Sequence, residues 1–220
     1  ALNSFGGVMA FQRTSSAFGR LFFSTVSKAP VIVRIWAPAE SSVGHASLQV
    51  GGSYVSLWPA VGASKPEIKW NNFEGTLIKS VTEDEIANGA YRDGELIPKS
   101  PTITITLNSL DSQKIEDSFH ALREKSPRWK LIGGYQLFKK KEEVIHSCTS
   151  LVLFLLKEGG LDDLFVKNGK NILALMGDDL SVAAHKVVLE NVVVTPTNLM
   201  RILDYAAKLE SGIDEKRPFY

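Results

Sequence analysis

The chain contains one cysteine, and it heads an apolar run: "HSCTSLVLFLLKEGG", residues 146–160. Ser147 is a good N-cap residue type, and a cap there puts Cys148 in the first helical turn. The unpaired backbone N–H groups and the positive end of the helix dipole at that position stabilise a thiolate. The same N–H groups can hold the oxyanion of a tetrahedral intermediate. The plainer alternative is a small buried residue in a core helix, since free cysteine is among the most buried residue types. About 100 residues upstream lies "GHASLQVGGSYVSLWP", residues 44–59. It reads as two strands joined at Gly51-Gly52, with His45 opening the first. Alternation sends Ala46, Leu48 and Val50 to the core and His45, Ser47 and Gln49 to the opposite, more polar face. A histidine so placed can act as general base to a thiol at a helix N-terminus. Ser56, on the second strand, is placed to orient the imidazole through its other nitrogen. Tyr54, Trp58 and Ser147 flank these residues and are candidate substrate-binding positions. His146, two residues before the cysteine, is a rival base that helix-entry geometry would splay away.

The remaining elements must bring these two stretches together. "PVIVRIWA" (30–37) and "TITITLN" (102–108) alternate as strands do. "TEDEIANGAY" has a threonine cap and acids in its first turn, predicting a short helix. "SLDSQKIEDSFHALREK" carries apolar residues at 115, 119 and 122, the spacing of an amphipathic helix. Residues 148–157 form a helix apolar almost all round, ended by Gly159-Gly160, and such a helix belongs in the middle of a molecule. "VAAHKVVLENVVV" reads as a late strand, and "TPTNLMRILDYAAKLES" as a terminal helix. The stretch between 126 and 147 reads as a connector whose Lys139–Lys141 cluster is a solvated loop, with Glu142 and Glu143 beside it. The expected fold class is α+β with a mainly antiparallel sheet packed on the cysteine helix.

Composition narrows the function classes. The 220 residues carry a formal net charge of +1, so charge balance implies no nucleic-acid partner. A single cysteine excludes an internal disulfide. The four histidines, at 45, 120, 146 and 185, lack metal-ligand spacing, and neither a metal nor a cofactor is expected. No apolar run approaches the roughly 20 residues that span a bilayer, and a soluble protein is expected. Residues 1–29 form an N-terminal segment without acidic residues before a domain at 30–220. Its serine and arginine content is that of a transit peptide, and Phe11, Phe18, Leu21 and Phe22 share one helical face. A helix packing those phenylalanines on the domain is the expected form.

Taken together, "GHASLQVGGSYVSLWP" and the later "YQLFKKKEEVIHSCTSLVLFLLKEGG" resemble the circularly permuted papain-like cysteine hydrolases. That group includes lecithin:retinol acyltransferase-like proteins, deSUMOylating isopeptidases and permuted NlpC-type peptidases. The resemblance covers roughly residues 31–160 and implies His45 as general base, Cys148 as nucleophile and Ser56 as the third polar position. This chain departs from the pattern in having Ser147 where asparagine is common, "YQLF" for "YNLL", and serine in the third position. The resemblance implies a thiol hydrolase acting through a thioester on a peptide or protein substrate, with acyl transfer as a close chemical relative. It also implies a domain of a longer chain, intracellular or secreted as an effector into a host cell. A non-catalytic interaction module of the same fold, with Trp58, Trp70 and Phe73 lining a groove, is the alternative from another class.

Overall fold

In the computed structural model the described residues are 28–39, 43–60, 73–131, 145–168 and 194–212. The N-terminal segment up to residue 27, Trp70, Lys139–Lys141 and most of the expected strand at 182–194 lie outside them. The described residues form a mixed α+β structure around a seven-stranded, mainly antiparallel sheet.

The strands are β1 (Val31–Trp36), β2 (His45–Val50), β3 (Ser53–Pro59), β4 (Phe73–Ile78), β5 (Ala90–Arg92), β6 (Glu95–Ile97), β7 (Ile103–Leu107), β8 (Arg128–Trp129) and β9 (Ile145–His146). The main sheet runs β7-β1-β2-β3-β4-β8-β9, and β5 and β6 form a separate hairpin. Every pair in it is antiparallel except β8 with β9. The described helices are α1 (Val81–Ala87), α2 (Ser112–Glu124), α3 (Cys148–Glu158), α4 (Leu161–Lys167) and α5 (Pro196–Glu210).

The alternation read in β1 to β3 governs what each sheet face buries. Val31, Val33 and Ile35 pair with Val50, Leu48 and Ala46, and all six are fully buried. Val55 and Leu57 of β3 join the same apolar cluster, which the helices α2 to α5 complete. In α3, Leu151, Val152, Leu153, Leu155 and Leu156 are all buried, and the helix packs across β2 and β3. A fully buried leucine contributes about 1.5–3 kcal/mol of transfer free energy, so this helix anchors the domain's core.

The opposite face was expected to be merely polar, and it is covered. His45, Ser47 and Ser56 are buried there, beneath α1. Helix α1 is capped by Ser80, whose hydroxyl accepts from the Glu83 N–H, so the helix starts before the expected threonine. Its first turn buries one of its acids, Asp84. Further elements fall where the sequence reads as loop. β4 begins at Phe73, whose ring meets Trp129 at 6.2 Å between centroids, and β8 and β9 occupy the expected connector.

Candidate active site

Two local structures bring the candidate residues together. The first is the entry to α3. Ser147 Oγ accepts from the Ser150 N–H and Ser150 Oγ accepts from the Ser147 N–H, a reciprocal capping box. Ser147 Oγ also lies 3.1 Å from Thr149 Oγ1, which donates to the Val194 carbonyl. The hydroxyl of Ser147, a candidate binding position, is thus turned to the helix cap. Cys148 follows as the first residue of the helix and is 6% exposed.

The second is the open end of the β2–β3 hairpin. Val50 and Ser53 close its two-residue turn, so Val50, Leu48 and Ala46 direct their backbone polar groups toward β3. Pairing of the two strands stops at Leu48–Val55, which leaves the Ala46 N–H without a β3 partner. That N–H donates to the Cys148 sulfur instead, as does the N–H of Thr149, since only a donor can stabilise a thiolate. Gly44 sets up the approach. It sits at φ +79°, and a Cβ there would come within 2.7 Å of the Trp36 carbonyl and 2.9 Å of Pro196 Cγ.

His45 lies between the thiol and the face covered by α1. Its Nε2 is 2.9 Å from Ser56 Oγ and 3.4 Å from Asp84 Oδ1. Ser56 Oγ donates to Asp84 Oδ1 at 2.7 Å, because an ionised carboxylate only accepts. With its proton committed to Asp84, Ser56 Oγ must accept from His45, so Nε2 carries a hydrogen. Nδ1 is then the nitrogen left for the thiol, with which the imidazole is hydrogen bonded. Trp58 stacks on the imidazole with 4.2 Å between centroids, and its Nε1 donates to Asp84 Oδ1 at 2.8 Å. Trp36 closes on the ring from another side at 5.5 Å.

The charges follow from this geometry. Burial alone would lower the His45 pKa, but the Cys148 thiolate and Asp84 outweigh it and raise the imidazole to about 9. Burial alone would raise the Cys148 thiol, yet the His45 charge and hydrogen bond, with the two backbone donors, bring it below its ordinary value. Asp84 is likewise held below the usual carboxylate range: His45, Tyr54 and Ser56 overcome the cost of burial. The arrangement favours a thiolate–imidazolium pair backed by a carboxylate.

Cys148, His45 and Ser56 thus lie together. Tyr54 and Trp58, the other candidate binding positions, turn their polar atoms toward Asp84. His146 is directed elsewhere: its ring lies 5.5 Å from that of Phe154, and Nδ1 is 3.5 Å from Ser150 Oγ. Asp84 itself was missed, being one acid among several in "TEDE". The available signal was periodic: with Val81 and Asn88 it shares one face of a short helix, the half-buried face, while Thr82, Glu83 and Ile86 lie exposed. Among the described residues no group of three or more acidic, histidine or cysteine side chains could hold a metal ion. None of the described helices is long and apolar enough to cross a membrane.

Compared with protein-family models, curated proteins and solved structures, the chain matches none of them.

Proposed function

We propose that the protein is a thiol hydrolase whose nucleophile is Cys148, whose acid–base is His45 and whose orienting carboxylate is Asp84, reached through Ser56. The observation that carries this reading is the directed hydrogen-bond chain from Asp84 through Ser56 to His45 Nε2, which turns Nδ1 toward a thiol at a helix N-terminus. A core cysteine needs no such partner. In the acylation step the thiolate attacks an acyl carbon, and the imidazolium gives its proton to the departing amine or alcohol, leaving a thioester. Neutral His45 then takes a proton from water, which attacks the thioester and releases a carboxylic acid and the thiol. Asp84 stabilises the imidazolium through both steps and remains ionised.

The order of histidine strand before cysteine helix, with the helix packed across that strand, supports membership of the permuted papain-like hydrolases. On that reading the substrate is a peptide or protein acyl group, and the domain belongs to a longer chain. A p-nitrophenyl ester tests the chemistry without knowledge of the substrate. A burst of nitrophenol with an acyl adduct on Cys148 by mass spectrometry, absent in Cys148→Ala, is the expected result. An adduct that water does not clear, but an added amine does, would favour acyl transfer. No adduct would leave the interaction module.

A further inference from the structure

The phenol of Tyr54 is tied into the site on the side away from the thiol. Its hydroxyl donates to Asp84 Oδ2 at 2.6 Å, and with its proton so used it accepts from Ser47 Oγ at 2.8 Å. Ser47 is fully buried on the same face of β2 as His45, two residues along. Behind the phenol, the Arg34 guanidinium stands 6.0 Å from the ring centroid, fixed by a 3.0 Å bond from Nη2 to Gln49 Oε1. The two carboxylate oxygens of Asp84 therefore have divided duties. Oδ1 takes Ser56, Trp58 and the edge of His45; Oδ2 takes Tyr54.

The terminal torsion of an aspartate is broad, so the backbone of α1 does not by itself fix the plane of the carboxylate relative to the imidazole. We propose that Tyr54, braced by Ser47, is a positioning residue of this site: its bond to one carboxylate oxygen locks the plane of the Asp84 carboxylate, which aims the other oxygen at Ser56 and the imidazole. The proposal rests on the hydrolase reading and deepens it. Tyr54 touches no reacting atom and acts through Asp84 and then Ser56 on His45. The groups that bear on Asp84 electrostatically are few. His45 and Tyr54 contact it, Cys148 lies beyond the imidazole and Arg34 beyond the phenol, and Glu83 and Glu85 sit on its own helix, Glu83 exposed and Glu85 half-buried.

The sign of the effect follows. Loss of the Oδ2 anchor lets the carboxylate turn, weakening what holds the imidazolium, so the His45 midpoint drops from about 9 toward 6.5. The same loss frees the Nε2 proton to exchange between ring nitrogens. The test is 15N NMR of the full chain labelled at histidine, recorded against pH for wild type, Tyr54→Phe and Ser47→Ala. With only four histidines, the His45 signals are assigned by their disappearance in His45→Gln. The expected wild type titrates near pH 9 and its neutral form above that pH is the Nε2–H tautomer; Tyr54→Phe titrates at least about one pH unit lower and its neutral form mixes tautomers. Ser47→Ala, which removes only a donor to the phenol, shifts in the same direction by less and serves alone if Tyr54→Phe does not fold. Superimposable wild-type and variant titrations, with the wild-type midpoint raised, would overturn the positioning role alone. A wild-type His45 titrating at its ordinary value would overturn the hydrolase reading and this role with it.

Discussion

A serine hydroxyl passes a hydrogen bond along without adding charge, whereas Asp84 supplies the charge, so loss of the two residues has different consequences. Asp84→Asn replaces an acceptor of Ser56, Trp58 and Tyr54 donors with a group that can point an amide back at them. The imidazolium loses its counter-charge and Nε2 its enforced proton. By comparison with amide replacement of the orienting carboxylate in serine-hydrolase triads, esterase activity should drop by about 10³–10⁴ in kcat. Ser56→Ala leaves His45 Nε2 3.4 Å from the carboxylate, within reach of a charge-assisted contact after a small shift. Its loss should be smaller, about 10-fold to 100-fold, a fraction of a general acid–base contribution. Steady-state kinetics of the two variants side by side check this. Equal losses would mean that the serine, and not the carboxylate behind it, sets the imidazole.

At the scale of elements, the site depends on how β2 starts and how α3 starts. Gly44 occupies the left-handed region with three backbone or ring atoms within 2.9 Å of where a Cβ would sit. Gly44→Ala should cost about 2–3 kcal/mol, combining left-handed strain with displacement of Trp36, Pro38 or Pro196. For a chain of this size that is a fall of about 4–12 °C in Tm by calorimetry. A neutral result would place the turn's tolerance well above what its geometry implies. These same starts show what the sequence makes legible. The alternation of "HASLQV" and "SYVSLW", the Ser147 cap and the Ile115–Phe119–Leu122 stripe are local signals, and each is found as read. So is the terminal helix from Pro196, capped by Thr195. Asp84 was not legible because its burial is decided by what covers the outer face of β2 and β3, through contacts across 26 to 30 positions of sequence. The strand at Phe73 and the two-residue strands β8 and β9 exist through pairing with distant partners, and short segments like these carry little intrinsic preference.

Across the whole molecule the sheet separates two kinds of interior. One face packs aliphatic side chains under the helices; the other buries a polar chain from Ser47 through Tyr54, Asp84 and Ser56 to His45, whose imidazole meets the thiol at the start of α3. Closure of the first interior relies on the chain's last described helix. Glu210 of α5 accepts from the backbone N–H groups of Asn108 and Ser109 and from the Ser109 hydroxyl, tying the helix to the turn after β7. Glu210→Ala should cost about 1–2 kcal/mol in chemical denaturation, as loss of a charged cap does. Asp162→Ala, which breaks a surface pair with Lys157, should change stability by under about 0.5 kcal/mol. Reversed ranks would show that α5 is not fastened by that carboxylate. The polar interior is tested most directly through the thiol, since the chain has one cysteine and alkylation needs no assignment. The deciding measurement is the iodoacetamide alkylation rate of Cys148 against pH, for wild type and His45→Ala. The thiol is held below its ordinary value, so the wild-type rate should stay high as pH falls well under the usual thiol value of about 8.5 and drop only at the lowered pKa. Without the imidazolium only burial and two backbone donors remain, so the midpoint in His45→Ala should rise and the rate at neutral pH collapse. A wild-type midpoint at or above about 8.5 that is the same in the variant would contradict the ion pair and, with it, the proposed hydrolase function.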